Sequence, residues 1–257
     1  MPLLATPAIV LSSLRYGETS KIVRLATRDH GIQSAIAKGA LRPKSRFGAA
    51  LQVLCLGQAQ VILSERRDLH TLTAFDVTHL PMAMASDLDR YTSAVTMAEV
   101  VGRVGPTSPH PEIFDLLKEG LSLLETAPAE ALEAVALHLI WRLTGELGFQ
   151  PALEHCVRCG TAIDAGSPLH FSPEEGGALC PSCAAASSSK PSRLTASDRA
   201  ALHALITGAS ELPDLDPRHA AAHRRLLARF IRWHVAEGHA LPALEFWSNR
   251  AWGRAQA

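Results

Sequence analysis

The sequence predicts an α+β chain: a small five-stranded β-barrel, then a mainly helical domain that carries a four-cysteine insert. Three observations predict it. Five short β-patterned runs fill residues 8 to 79, the apolar period changes from about 2 to about 3.6 after that, and two C-x2-C pairs stand close together late in the chain. At 257 residues the chain suits two domains, and its 47% hydrophobic content supplies their cores. No uninterrupted apolar run approaches the ~18 residues of a membrane span. Residues 1–80 are assigned to the barrel and 81–257 to the helical domain, with the insert at 152–190.

The strand runs are AIVLSSL, SKIVRLAT, HGIQSAIAK, LQVLCLGQAQVILSE and DLHTLTAFDVTH, each bounded by Gly, Pro or charged turn residues. In the last run Leu69, Thr71, Thr73, Phe75 and Val77 are expected to share one face. So many short strands with no helical period among them fit a closed barrel better than a sandwich. Cys55 falls in an apolar run and reads as a buried thiol.

Formal net charge is zero, but it is distributed unevenly. Residues 1 to 80 carry ten Lys or Arg against five Asp or Glu, residues 81 to 189 five against fourteen, and the remainder ten against six. A basic N-terminal block suggests an anionic partner there. Its densest part is AKGALRPKSRF, where Lys38, Arg42, Lys44 and Arg46 occur without an acid among them, Gly39 and Pro43 mark a loop, and Phe47 follows as a stacking platform. Cations that follow phosphates beside an aromatic face suit single-stranded nucleic acid without sequence preference. Arg15, Tyr16, Lys21 and Arg24 repeat the pattern less densely.

Cys156-Val-Arg-Cys159 and Cys180-Pro-Ser-Cys183 have the spacing of a four-thiolate zinc site, each pair forming a tight turn that aims both sulfurs at one point. Four thiolates close the coordination sphere, so the expected ion is structural, one per chain, and leaves no open position for catalysis. Gly160 suits the turn that such knuckles need. Paired cysteines and the lack of an N-terminal charged and apolar leader pattern predict a cytoplasmic protein.

RYGETSKIVRLATRDHG followed by AKGALRPKSRF, an early five-strand domain and a later pair of C-x2-C motifs together resemble the RecO family of bacterial recombination mediators. The resemblance is most specific over residues 15 to 47. It implies that the barrel is an OB-fold DNA-binding domain and that the protein is a DNA repair factor, not an enzyme. It also implies binding of single- and double-stranded DNA, annealing of complementary strands, and joint action with RecR to load RecA onto DNA coated by single-stranded DNA-binding protein. A place at the nucleoid follows. The expected DNA-binding residues are Arg15, Lys21, Arg24, Lys38, Arg42, Lys44, Arg46 and Phe47, and the expected metal ligands Cys156, Cys159, Cys180 and Cys183.

Helices are expected over 87–104, over a stripe Ile113, Leu116, Leu117, Leu121 and Leu124, and over Leu132 to Leu147. Thr195 and Asp198 read as a capping box that starts a helix to about Ile206, and AAASSSKPS as the loop leading back from the insert. The last clear helix runs from Pro217 to about Gly238. At about 100° per residue, Arg218, Arg225, Arg229 and Arg232 form a basic stripe on it, opposite Leu226, Leu227, Phe230 and Ile231. The stripe is the expected seat of the acidic tail of single-stranded DNA-binding protein, with an accessory DNA surface or a merely solvated face as the other readings. Trp233, Trp247 and Trp252 are expected to pack that helix.

Two rival functions remain. A zinc-stapled adaptor would bind proteins without touching DNA. A zinc nucleobase deaminase is suggested by His110-Pro111-Glu112 followed by C-x2-C, but it needs an open three-ligand zinc and a Pro directly before its C-x2-C, where this chain has His155 and Leu179. Pro111 more simply starts a helix. The sequence has no Walker A loop, no G-x-S-x-G elbow and no H-E-x-x-H pair.

Overall fold

The computed structural model describes residues 3–64, 67–164, 166–208 and 211–250. It divides into two compact units, Met1–Thr126 and Ala127–Ala257.

In the first unit, strands β1 (Leu3–Tyr16), β2 (Ser20–Thr27), β3 (Gly31–Ala37), β4 (Leu56–Ile62) and β5 (Leu69–His79) close into a barrel of order β1-β2-β3-β5-β4. β1 is long enough to serve both sides of the closure. Its N-terminal part pairs with β4 from Leu3↔Ile62 to Ile9↔Leu56, and the rest pairs with β2, with a bulge between Val10 and Ser12. β3 and β5 run parallel, from Ser34↔Leu69 to Ile36↔Thr71. This is the five-stranded OB-fold barrel.

The strand expected over residues 51–65 is shorter than its apolar run. Residues 51 to 55 form turns in which Leu54 takes a φ of 72°, held because Leu54 N–H donates to Val10 O (2.8 Å) and Val10 N–H to Cys55 O (3.0 Å). Leu51 and Cys55 thereby join the barrel core with Val10, Val23, Leu25, Val61, Leu72 and Phe75. β5 also departs from simple alternation. Its register with β4 jumps from Gln60↔Ala74 to Val61↔Leu72, so Thr73 is an extra residue. The phase change turns both Leu72 and Phe75 to the core and leaves Val77 37% exposed, so the five residues expected on one face do not share it.

Three helices complete this unit: α1 (Met82–Ala85), α2 (Leu88–Val104) and α3 (Pro111–Thr126). Asp87 caps α2, its carboxylate accepting from Asp89 and Arg90 N–H at 3.0 and 3.1 Å. Gly31, at the β2–β3 turn, has a φ of 66°, and a Cβ there would stand 2.2 Å from Ser108 O; only glycine lets the segment before α3 lie on the turn. Arg28 in the same turn forms a two-point ion pair with Asp115 of α3, at 2.9 and 3.1 Å.

The second unit holds α4 (Leu132–Glu146), a sheet of β6 (Leu169–Ser172), β7 (Gly177–Leu179) and, after α5 (Pro181–Ala185), β8 (Ser192–Leu194), then α6 (Ala196–Thr207), α7 (Pro217–His234) and α8 (Pro242–Asn249). The sheet order is β7-β6-β8, so Ser192, read from sequence as the end of the returning loop, opens a strand that runs to Leu194. The capping box at Thr195 and Asp198 is present, and Gly208 ends α6 in the left-handed region. Phe230 of α7 centres the core, with ring centroids 5.2 Å from Trp141 and 6.5 Å from Phe171 of β6. No helix among the described residues is long and apolar enough to cross a membrane.

Candidate nucleic-acid interface and metal centre

The basic residues of the barrel gather at one end because of strand register. Arg15 of β1 lies opposite Lys21 of β2, and Lys21 lies opposite Ala37 of β3, which Lys38 follows. Two like charges directly opposite on neighbouring strands cost stability, so the fold tolerates a pair that packing alone does not favour. The loop after β3 is fastened beside them: Leu41 N–H donates to Thr19 O in the β1–β2 turn at 2.8 Å, and successive turns carry Arg42, Lys44 and Arg46. Lys38, Arg42, Lys44 and Arg46 are all exposed.

Two expected members lie elsewhere. Phe47 is 2% exposed and belongs to the barrel core, so its face is closed to a base; the chain turns inward directly after Arg46, whose guanidinium carbon stands 5.2 Å from the Phe47 ring centroid. Arg24 is half-buried, with an enclosed Nε that makes no hydrogen bond; burial and the neighbouring Arg103 of α2 depress its pKa. The aromatic ring that does stand open at the basic end is Tyr16, 54% exposed at the tip of β1. The sequence groups Tyr16 with these cations, but no local signal tells that it, and not Phe47, faces out.

The metal centre is built by two turns. In the first, Cys156 N–H donates to Thr161 O (2.8 Å) and Gly160 N–H to Cys156 O (2.9 Å), with Gly160 at a φ of 74°. The second is the start of α5, where Cys180 is the N-cap and Ala184 N–H donates to its carbonyl at 2.8 Å. The four Sγ atoms lie within 4.8 Å of one another, and Cys159 and Cys180 Sγ are 3.7 Å apart. A tetrahedral ion with bonds of about 2.3 Å to sulfur needs edges of about 3.8 Å, so the donor set fits one. Burial opposes the Cys156 thiolate, but surrounding backbone N–H groups outweigh it and bring its pKa down to about 6. Cys183, hydrogen-bonded with Cys180 and Cys159, is pushed up to about 12. Thiols this close ionise together only beside a cation. His110, the residue that prompted the deaminase comparison, is exposed beside Ser108 O (3.2 Å) and is not among the gathered ligands.

One residue that sequence reading missed ties the insert down. Arg199 of α6 is 8% exposed and its guanidinium donates to four carbonyls: Asp164, Ser167 (3.1 Å), Ile163 (3.3 Å) and Leu153 (3.5 Å). A second tie runs to α7, where Arg229 meets Glu174 at 2.6 Å and His234 Nε2 lies 2.7 Å from Pro173 O.

The stripe on α7 is divided rather than uniform. Leu226, Leu227, Phe230 and Ile231 are buried as expected, but Arg229 is taken by Glu174. Arg218 lines an open cavity of about 420 Å³ with Arg193, Leu194, Asp198, His223 and Leu226. Arg225 and Arg232 are exposed. Trp247 packs inside at 3% exposure, whereas Trp233 is 64% exposed, against the expectation that it packs the helix; Trp252 lies outside the described residues.

An OB-fold barrel followed by a helical unit with four gathered cysteines is an architecture that suits nucleic-acid-handling proteins. The comparisons then give the family. Residues 1–81 match the model for the recombination protein O N-terminal domain and residues 85–242 that for its C-terminal domain. The chain is 35% identical over 240 residues to a Nocardioides protein described as DNA repair protein RecO, covering 90% of this chain and 94% of that one. Proteins of the same description from Heliobacterium modesticaldum (36%, 71% of this chain and 66% of theirs) and Anaeromyxobacter dehalogenans (37%, 68% of each) are also similar. The chain belongs to the RecO family of DNA repair proteins, with a role in recombination and repair.

Proposed function

We propose that the protein is a non-catalytic recombination mediator that binds single- and double-stranded DNA through the basic end of its barrel and anneals complementary strands. The observation that carries this is the facing pair Arg15 and Lys21 on β1 and β2, with Lys38 directly after the end of β3 and Arg42, Lys44 and Arg46 in a loop bonded to the β1–β2 turn. Cations that neutralise phosphates lower the repulsion between two strands and leave base edges free to pair, which requires no covalent chemistry. Tyr16 takes the stacking role expected of Phe47. Arg24 is omitted from the contact set. Titration of labelled single-stranded DNA at several salt concentrations tests the reading, with the 38–46 loop neutralised as the comparison.

The metal is read as one structural zinc held by Cys156, Cys159, Cys180 and Cys183. Four sulfurs leave no position for a substrate, so the ion supplies folding energy to the insert. On family grounds the protein works at the nucleoid with RecR, helping to load RecA onto DNA coated by single-stranded DNA-binding protein. The acidic tail of that protein is assigned to α7, where the cavity beside Arg218 and Leu226 offers charge to steer a peptide and an apolar wall to bury its end. Peptide binding to an Arg218→Glu variant tests this part, and unchanged affinity in a folded variant counts against it.

A further inference from the structure

Trp233 is the feature that neither the barrel interface nor the tail site uses. A tryptophan 64% exposed leaves a large apolar face in water, which folding does not favour and which marks contact surfaces. The turns of α7 that lead up to it are cationic. Trp233 lies one helical turn beyond Arg229 and two beyond Arg225, with Arg232 adjacent in sequence. Arg225 and Arg232 are exposed, and Glu174 is neutralised by Arg229 at 2.6 Å, so the nearest acid from the insert does not repel an anion.

A flat ring standing out among arginines suits a base better than a peptide end, because an apolar side chain needs a groove and a base needs only a face. The cavity along α7 is at the other end of the helix, lined by Arg218, His219, His223 and Leu226, and Trp233 does not line it. We propose that Trp233, Arg225 and Arg232 form a second single-stranded nucleic-acid site, on the helical unit, with the indole stacking on a base and the arginines neutralising its phosphates. The barrel then holds one strand and α7 a second, which is what annealing two strands needs. The site stands on its own observations and does not depend on the barrel loop.

The test uses the full chain with Lys38, Arg42, Lys44 and Arg46 changed to Ala, so that barrel binding is suppressed, and follows tryptophan fluorescence as an oligo-dT strand is added. Stacked bases should quench the signal, and Trp233→Ala should abolish the quench while Trp233→Phe keeps most of the affinity. In the otherwise unaltered protein, Trp233→Ala should slow strand annealing on the order of tenfold. The substituted side chain is exposed, and circular dichroism confirms that each variant folds. The proposal is overturned if the dT strand gives no quench that depends on Trp233, or if an acidic peptide quenches Trp233 and the dT strand does not. Barrel binding fails separately, if the loop-neutralised protein keeps the affinity and salt dependence of the unaltered one.

Discussion

Phe47 and Tyr16 show how much a single ring's environment decides. Both sit beside cations in the sequence, and only one is open to solvent. Phe47→Ala removes a core ring and should cost about 3–5 kcal/mol of stability, seen as a lower melting temperature. Tyr16→Ala should leave the melting temperature nearly unchanged and weaken single-stranded DNA binding by about 1–3 kcal/mol with little change in salt slope. The reverse pair of results would return the stacking role to Phe47. His223 is the residue with a pH signature. It is 3% exposed, neither ring nitrogen makes a hydrogen bond, and burial lowers its pKa although Asp198 opposes that and His219 reinforces it. The folded state therefore resists protonation that the unfolded chain accepts near its ordinary value of about 6.5. Stability is full above that value and falls as the pH drops below it toward the lowered pKa. His223→Leu should flatten that decline in thermal melts below about pH 6.5. An unaltered pH profile would show that another group governs it.

The four-cysteine insert is the element whose stability is decided from outside its own sequence. Its two turns are local, and the C-x2-C spacing foretold them. On the proposed zinc reading, removing one ligand, as in Cys159→Ser, should release the ion and lower the melting temperature of the helical unit while the DNA binding proposed for the barrel largely survives, since binding to a site that does not exist without the ion is folding energy. Metal content and melting curves on one preparation check this. Arg199 could not be foreseen, because an arginine on an amphipathic helix looks solvated until the fold brings four carbonyls to it. Arg199→Ala removes four donated hydrogen bonds at once, one of them to the buried Leu153 carbonyl, and should destabilise the insert by about 1–3 kcal/mol even with a metal bound. The same limit explains β5. Alternation named the strand correctly, but the bulge at Thr73 is set by pairing with β4, a relation across the chain that alternation does not encode.

At the scale of the whole molecule, the sequence made the order of parts legible because each has its own period: two along the barrel strands, 3.6 along the helices, and the cysteine spacing between them. The basic loop was legible too, since charge and turn residues are local. That Arg15 faces Lys21, with the end of β3 and Lys38 beside them, was not, because strand register makes it; nor was the division of the α7 stripe, which Glu174 brings about by taking Arg229. The central claim is that this basic cluster and loop bind the phosphates of a single strand. Its most direct test is the slope of log affinity against log salt. If Lys38, Arg42, Lys44 and Arg46 each neutralise one phosphate, they contribute about −3 to the slope on single-stranded DNA. Changing Lys44 and Arg46 to Ala should make it shallower by about 1.4, and changing all four by about 3, with similar loss for every sequence tested. A four-charge variant that binds with the slope and affinity of the unaltered protein would contradict the account.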